Sequence, residues 1–181
     1  MPKKSDAQSN RSKEWMMSSL INLMKRKEYS RISISEIADE AGLDRRTFYR
    51  HFSSKEDIIC CYISNISKDY EKLLLSHKDF KTKSVLQSFM SICVQEKELL
   101  LLLYKNNLLP LLLYEFENIF LNFHMKYTNI DEPYDFINLE YTLSYHIGGF
   151  WNILNKWLSE GASKTPEEIT LILIDNLPES I

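Results

Sequence analysis

Glycine and proline are scarce in this chain, with four glycines and five prolines among 181 residues. Tight turns between strands depend heavily on these two residues, so a many-stranded sheet is disfavoured, whereas long helices meet few interruptions. With 44% apolar residues, the chain can also bury a substantial core. Together these features predict an all-α protein.

Helix start and stop signals are concentrated in one short part of the chain. Ser33 and Glu36 have the spacing of a capping box, and Gly42 supplies a left-handed residue that ends the helix. Asp44 then predicts the start of a second short helix, and Ser54 predicts the start of a third. A helix, a glycine turn, a short helix and a restart within 22 residues are typical of a helix-turn-helix.

The remaining helices follow from apolar spacing. An amphipathic helix with Trp15, Leu20, Leu23 and Met24 on its apolar face is predicted before the helix-turn-helix. A long helix starts at Ser54, and further helices are predicted at 82–95, 97–105, 108–127, 136–160 and 166–177, about nine in all. The chain is thereby divided into a flexible tail (1–10), a helix-turn-helix domain (11–55) and a C-terminal helical domain (56–181).

The short helix after Gly42 has two chemically different sides. A wheel of about 100° per residue puts Phe48 and Phe52 on one side and Arg46 with Arg50 about 160° away. The second set is either only solvated or it faces a partner. In a helix-turn-helix the second helix enters the major groove of DNA, and arginine, threonine and tyrosine side chains donate to bases or phosphates.

The stretch SISEIADEAGLDRRTFYRHFSSKEDII resembles the DNA-binding signature of the TetR/AcrR family of bacterial transcriptional regulators. The resemblance extends over about 45 residues and rests on Ile37, Ala38, Ala41, Gly42, Asp44, Thr47, Phe48, Tyr49, His51, Phe52, Lys55 and Glu56. It implies base contacts from residues 45–47 and Tyr49, and phosphate contacts from Tyr49, His51 and Lys55. The complete predicted DNA-binding set is Ser35, Arg45, Arg46, Thr47, Tyr49, Arg50, His51 and Lys55. Arginine at both 45 and 46 indicates either guanine recognition or additional phosphate binding.

Residues 135–175 have the pattern of a helical hairpin, in which Pro166 takes the first position of the second helix. Two adjacent glycines inside the first, apolar helix cost roughly 1 kcal/mol each relative to alanine, which indicates close backbone contact or a bend. The segment is similar to the C-terminal region of a TetR branch common in low-GC Gram-positive bacteria, whose last two helices form a four-helix dimer interface. The resemblance implies a homodimer, with predicted interface residues Tyr145, Gly148, Gly149, Asn152, Ile169 and Leu173.

Aromatic residues are frequent in the C-terminal domain. In the family such residues often line an effector cavity, so the resemblance implies a pocket formed by Phe89, Tyr104, Phe116, Phe120, His146 and Trp151. Ordinary core packing is the alternative interpretation for each of them, because any helical bundle buries aromatic side chains at helical spacing.

The charge distribution agrees with a DNA-binding front module. The net charge is −3, with +3 in residues 1–60 and −6 in residues 61–181, and a basic module on an acidic protein suggests a phosphate-bearing partner for that module. The predicted function is that of a homodimeric repressor that binds a palindromic operator in double-stranded DNA and is released by a small-molecule effector. The alternative is a TetR-like co-activator or adaptor whose C-terminal domain binds a protein partner.

Enzyme and membrane signatures do not occur in the sequence. The four histidines are scattered, Cys60, Cys61 and Cys93 lack the spacing of metal ligands, and no phosphate loop is present, so neither catalysis nor a metal or other cofactor is expected. The apolar runs 98–104 and 108–114 are shorter than the roughly 20 residues that span a bilayer. Because the N-terminus also lacks the apolar segment of a signal peptide, a cytoplasmic protein without a membrane partner is predicted.

Overall fold

The computed structural model describes residues 4–76, 82–117 and 133–174 of the chain. These ranges contain nine α-helices and one 3-10 turn, and no strand, which confirms the predicted all-α class. The elements are α1 (Lys4–Arg26), the 3-10 turn Tyr29–Arg31, α2 (Ile34–Glu40), α3 (Arg45–His51), α4 (Lys55–Ser76), α5 (Thr82–Gln95), α6 (Lys97–Lys105), α7 (Leu109–Glu117), α8 (Pro133–Ser159) and α9 (Pro166–Ile174).

The helices form two compact units, Met1–Ser64 and Asn65–Ile181. The division lies inside α4, nine residues after the boundary predicted at residue 55, because the first part of α4 carries buried isoleucines such as Ile58 and Ile63 that belong to the N-terminal unit. Residues 4–10, predicted as part of a flexible tail, are the first residues of α1.

The apolar stripe of α1 begins at Met16 rather than at Trp15. Met16 and Leu20 are buried, whereas Trp15 is 44% exposed and lies beneath the guanidinium of Arg11, 4.9 Å from the centre of the ring. The prediction of Trp15 as a core residue was wrong. Adjacent positions on a helix differ by about 100°, so periodicity alone chose the wrong one of two apolar neighbours.

The helix ends in the N-terminal unit follow the predicted capping signals. Ser33 and Glu36 form a capping box at the start of α2, and hydrogen bonds from Lys27 and Ser33 hold the pKa of the exposed Glu36 carboxyl at about 2. At the start of α4, the Ser54 hydroxyl oxygen accepts a hydrogen bond from the backbone N–H of Asp57 (3.1 Å), and the Asp57 carboxylate accepts one from the backbone N–H of Ser54 (3.2 Å). The predicted cap at this helix is thus confirmed.

In the C-terminal unit α5 packs against α9 and α6 packs against α8. The helices predicted at 82–95 and 97–105 are confirmed without change. Helix α8 begins before the predicted residue 136 and ends at Ser159, and α9 begins at Pro166 behind a capping box between Thr165 and Glu168. The ends predicted at 127 and 177 lie outside the described residues.

Among the described residues no single helix is both long enough and apolar enough to span a membrane. Helices α6 and α7 satisfy the criteria of length and composition only as a pair, and they are bent by 119° at the break between them.

Candidate nucleic-acid interface

Helices α2 and α3 are joined by a turn that requires glycine. Gly42 has φ +64°, its N–H donates to the Asp39 carbonyl (3.0 Å), and the N–H of Leu43 donates to the Ala38 carbonyl (2.9 Å). A Cβ built on Gly42 would meet no atom within 4 Å, so the left-handed backbone rather than crowding favours glycine here. This Schellman turn fixes the direction in which α3 leaves α2.

The start of α3 is fixed by Asp44, whose carboxylate accepts a hydrogen bond from the backbone N–H of Thr47 at 2.6 Å. This hydrogen bond favours the charged form of the carboxyl and is the main cause of the lowered pKa of Asp44. The predicted cap is therefore present and ionised at neutral pH.

The inner side of α3 is anchored by two phenylalanines. Phe48 has no exposed surface and Phe52 is buried, with their ring centres 6.0 Å apart. Ile37 and Ala38 of α2 are buried in the same unit, whereas Ala41 and Leu43 are half-buried. Burial of the phenylalanines sets which side of α3 remains outside.

The outer side of α3 presents Arg45, Arg46, Tyr49 and Arg50, all of them exposed. The guanidinium of Arg45 lies 5.7 Å from the centre of the Tyr49 ring, and one of its nitrogens donates to the Tyr49 hydroxyl at 3.2 Å. Arg45 and Tyr49 therefore form one preorganised polar pair, while no ion pair neutralises Arg46 or Arg50 among the described residues. The surface is cationic and rich in donors, as a DNA backbone and base edges require.

Three further predicted residues lie at the margin of this surface. Ser35 on α2 and Thr47 on α3 are half-buried. His51 is also half-buried, and its Nε2 has no hydrogen-bond partner among the described residues. Burial lowers the pKa of His51, and the positive charges of Arg50 and Lys13 lower it further, so the imidazole is neutral at pH 7.

Lys13 of α1 was not predicted as part of this surface. Its charge acts on His51 at the end of α3, which brings a cation of α1 to the same edge of the unit as Arg50. No local pattern in the sequence could have indicated this, because the proximity is created by the packing of α1 on α3.

Lys55 is placed differently from the other predicted phosphate contacts. Its Nζ donates to the carbonyls of Tyr29 (2.9 Å) and Ile32 (2.7 Å) and lies 4.3 Å from the centre of the Tyr29 ring. Two of the three N–H donors of the ammonium are therefore engaged inside the unit.

The C-terminal unit contains a cavity of about 50 Å³. Phe89, Phe116 and Trp151, three of the residues predicted to form a pocket, line it. Phe89 packs on Phe116 and Phe150, with ring-centre distances of 5.4 and 5.0 Å. The volume has room for a few water molecules and is far below the roughly 300–1,000 Å³ of pockets that enclose drug-sized ligands.

Other predicted pocket residues lie elsewhere. Tyr104 is exposed on α6, and neither Tyr104 nor His146 is among the lining residues; Phe120 lies outside the described residues. The cavity is also lined by residues that were not predicted: Ile66, Ser67 and Tyr70 from α4, Cys93 from α5, and Glu96 before α6. The spacing of Ile66 and Tyr70, four residues apart on α4, is the signal that could have indicated them.

The two most deeply buried polar groups around the cavity are uncharged. Burial raises the pKa of the Cys93 thiol and that of the Tyr70 phenol, so both are neutral at pH 7. In the part of the chain that the structure describes, no cluster of three or more histidine, cysteine or acidic side chains could hold a metal ion.

The predicted dimer residues divide into two groups. Tyr145, Gly149 and Asn152 are exposed on α8 and Gly148 is half-buried there. On α9 Ile169 is buried within its own unit, Leu173 is half-buried, and the exposed apolar side chains are Leu171 and Ile172. A surface for a partner on α9 would therefore involve Leu171 and Ile172 more than Ile169.

A capped pair of short helices whose second member exposes arginines and a tyrosine opposite a buried phenylalanine face defines a helix-turn-helix DNA-binding protein. Residues 18–59 match the sequence model of a family described as bacterial regulatory proteins, tetR family. The N-terminal unit therefore carries the DNA-binding domain of that family over residues 18–59. The fold is also similar to that of the fatty acid degradation regulator FadR from Bacillus halodurans, with a TM-score of 0.62 and 14% identity over 87% of this chain and 89% of that chain.

Proposed function

We propose that this chain is a DNA-binding regulator of the TetR family and that it acts as a homodimeric repressor. Each protomer would insert α3 into the major groove of one half of a palindromic operator in the cytoplasm, and a small effector bound in the C-terminal unit would release the complex. The observation that carries the proposal is the outer side of α3, where Arg45, Arg46, Tyr49 and Arg50 are exposed together. One such helix makes a small interface, whereas two related by a two-fold axis read two half-sites separated by turns of the DNA helix.

The dimer is supported by an exposed face of α8. Helical spacing puts Tyr141, Tyr145, Gly148 and Asn152 on one side, and both tyrosines are largely exposed. A Cβ built on Gly148 or Gly149 would meet no atom within 4 Å. Packing within the described part of the chain therefore does not require glycine at either position. A second copy approaching this face would explain both the exposed aromatic rings and the glycines.

Tyr145→Glu is expected to weaken the dimer by at least about 30-fold, because a central interface aromatic contributes about 2 kcal/mol or more and two buried carboxylates would face each other. Light scattering after gel filtration would show the mass falling from that of two chains towards the 21.4 kDa of one. Tyr114→Glu is the matched control, since Tyr114 is 65% exposed on α7 and Tyr145 is 62% exposed on α8. Equal masses for the two variants at all concentrations would contradict the proposed interface.

The effector site is supported by the cavity beside Trp151. Its lining is predominantly apolar, and its two most deeply buried polar groups, the Tyr70 phenol and the Cys93 thiol, are neutral. Three lining residues, Ile66, Ser67 and Tyr70, come from α4, the helix whose first residues belong to the N-terminal unit. A small, uncharged apolar molecule fits this chemistry, and a larger one would select a more open conformation of the cavity.

A compound that releases the protein from DNA is expected to change the fluorescence of Trp151. The measurement uses the variant Trp15→Phe/Trp157→Phe, in which Trp151 is the remaining tryptophan, with indole-free probes such as benzyl alcohol and straight-chain alcohols. Because Trp151 lines the cavity, release and the change in emission should occur at the same probe concentration. Release with unchanged Trp151 emission would place the effector elsewhere.

A further inference from the structure

The first turn of α4 is held to the connection between α1 and α2 by a compact set of contacts around Tyr29. The Tyr29 ring is buried, and its hydroxyl donates to Glu56 Oε1 at 2.7 Å. The Lys55 ammonium lies over the same ring and donates to the carbonyls of Tyr29 and Ile32. We call these contacts among Tyr29, Ile32, Lys55 and Glu56 the Tyr29 clamp.

Both charged groups of the Tyr29 clamp, the Glu56 carboxylate and the Lys55 ammonium, are hydrogen-bonded within the N-terminal unit. Burial of the Glu56 carboxyl opposes its ionisation, but the hydrogen bond from Tyr29 and smaller contributions from its other neighbours outweigh this, so the pKa of Glu56 lies below its usual value. The Lys55 cation has two carbonyl acceptors and an aromatic face around it, a combination that stabilises a partly desolvated ammonium. Moving this ammonium onto a DNA phosphate would break two charge-assisted hydrogen bonds.

The Tyr29 clamp holds the carbonyl of Ile32, the residue just before the cap of α2. Ile32 comes immediately before Ser33, the cap of α2, and the Schellman turn after α2 fixes the direction of α3. A shift of the Ile32 carbonyl would therefore move the start of α2, and α3 with it. Two ion pairs also join this part of the chain to α2, Arg26 with Glu40 (2.7 Å) and Lys27 with Glu36. Their side chains are exposed or half-exposed, so these pairs contribute less.

We infer that Lys55 is a positioning residue, which together with Tyr29 and Glu56 fixes the orientation of α2 and α3, and that its main contribution to operator affinity is not a phosphate contact. This inference rests on the proposed operator binding. It differs from the expectation that the family resemblance gives for Lys55, and it assigns a role in DNA binding to Tyr29, a residue whose buried ring is outside the predicted DNA surface.

Salt dependence separates the two roles. The slope of log affinity against log salt is negative, and each phosphate contact that is lost lowers its magnitude by about 0.9. The DNA is a duplex enriched from random sequences by binding to the wild-type protein. Its affinity is measured at roughly 50 to 300 mM KCl for four variants: Lys55→Met, Tyr29→Phe, the double variant and Arg50→Gln. Arg50→Gln is the charge-matched control because it removes an exposed cation from α3. Binding is measured well below each melting temperature, so that loss of folded protein does not contribute.

Lys55→Met is expected to lower affinity about tenfold at every salt concentration with an unchanged slope, as the loss of charge-assisted hydrogen bonds would do. Tyr29→Phe should lower it by a smaller factor, again without a change in slope. The loss of affinity in the double variant should be smaller than the product of the two single losses, because the two side chains are in contact and fix the same part of the chain. Should Lys55→Met fail to fold, Tyr29→Phe and Glu56→Gln test the same positioning through affinity at unchanged slope.

A slope reduced by about 0.9 per chain in Lys55→Met, with wild-type affinity in Tyr29→Phe, would identify Lys55 as a phosphate contact and overturn the inference. Wild-type affinity in both single variants would also overturn it. A wild-type protein that enriches no DNA sequence is a different result, since it would contradict the proposed operator binding itself.

Discussion

Phe48→Ala is expected to destabilise the N-terminal unit by about 3–5 kcal/mol, the usual cost of removing a fully buried phenylalanine. The ring has no exposed surface and packs against Phe52, so its removal leaves a void between α3 and the rest of the unit. A loss of this size is a large part of the roughly 5–15 kcal/mol that stabilises a typical domain. Urea unfolding, together with amide hydrogen exchange in peptides covering residues 16–52, would measure it.

The neighbouring substitution Tyr49→Ala is the control for this measurement. Tyr49 is 51% exposed and one position further along the same helix, so its removal should change the free energy of unfolding by no more than about 0.5 kcal/mol. Equal destabilisation by the two substitutions would mean that the inner and outer sides of α3 have been assigned incorrectly.

Arg46→Ala and Tyr49→Ala are expected to lower affinity for the selected operator by about tenfold or more, since each side chain that reads a base edge contributes roughly 1–3 kcal/mol. Tyr49→Ala also removes the ring and the hydroxyl that hold the Arg45 guanidinium, so two donors are affected by one substitution. Melting temperatures should stay at the wild-type value. Fluorescence anisotropy with labelled duplexes measures the affinities.

The control for charge is Lys68→Ala, which removes an exposed cation from α4 in the C-terminal unit and should leave operator affinity unchanged. The same experiment decides between the two roles left open for Arg46. Loss of affinity for the operator alone indicates base recognition, whereas equal loss on unrelated DNA with a slope reduced by about 0.9 per chain indicates a phosphate contact. Wild-type affinity in Arg46→Ala and Tyr49→Ala would contradict the assignment of this surface.

The sequence predicted the helix-turn-helix well because its determinants are local. The capping residues Ser33 and Asp44 act within three positions, and Gly42 forms its turn with residues of the helix just before it. The alternation of Phe48 with the arginines of α3 follows from helical geometry alone. These short-range rules were sufficient to separate the buried from the exposed side of α3.

Interactions between distant parts of the chain were not predictable in this way. Lys55 bonds to carbonyls 23 and 26 positions earlier, and Lys13 affects His51 only because α1 packs on α3. Tyr104 and Phe116 both occur in apolar helices, yet one is exposed and the other lines the cavity. Helical periodicity gives the direction of a side chain around its own axis, but the neighbouring helix decides what that direction meets.

Selection of random duplexes by the purified full-length protein, followed by sequencing, is the most direct test of the claim that two copies of α3 read a two-fold symmetric DNA site. We predict enrichment of an inverted repeat whose half-sites are separated by whole turns of DNA, bound by two chains per site, and loss of this enrichment in Arg46→Ala/Tyr49→Ala. Absence of an enriched sequence, or the same enrichment from the variant as from the wild-type protein, would contradict the claim.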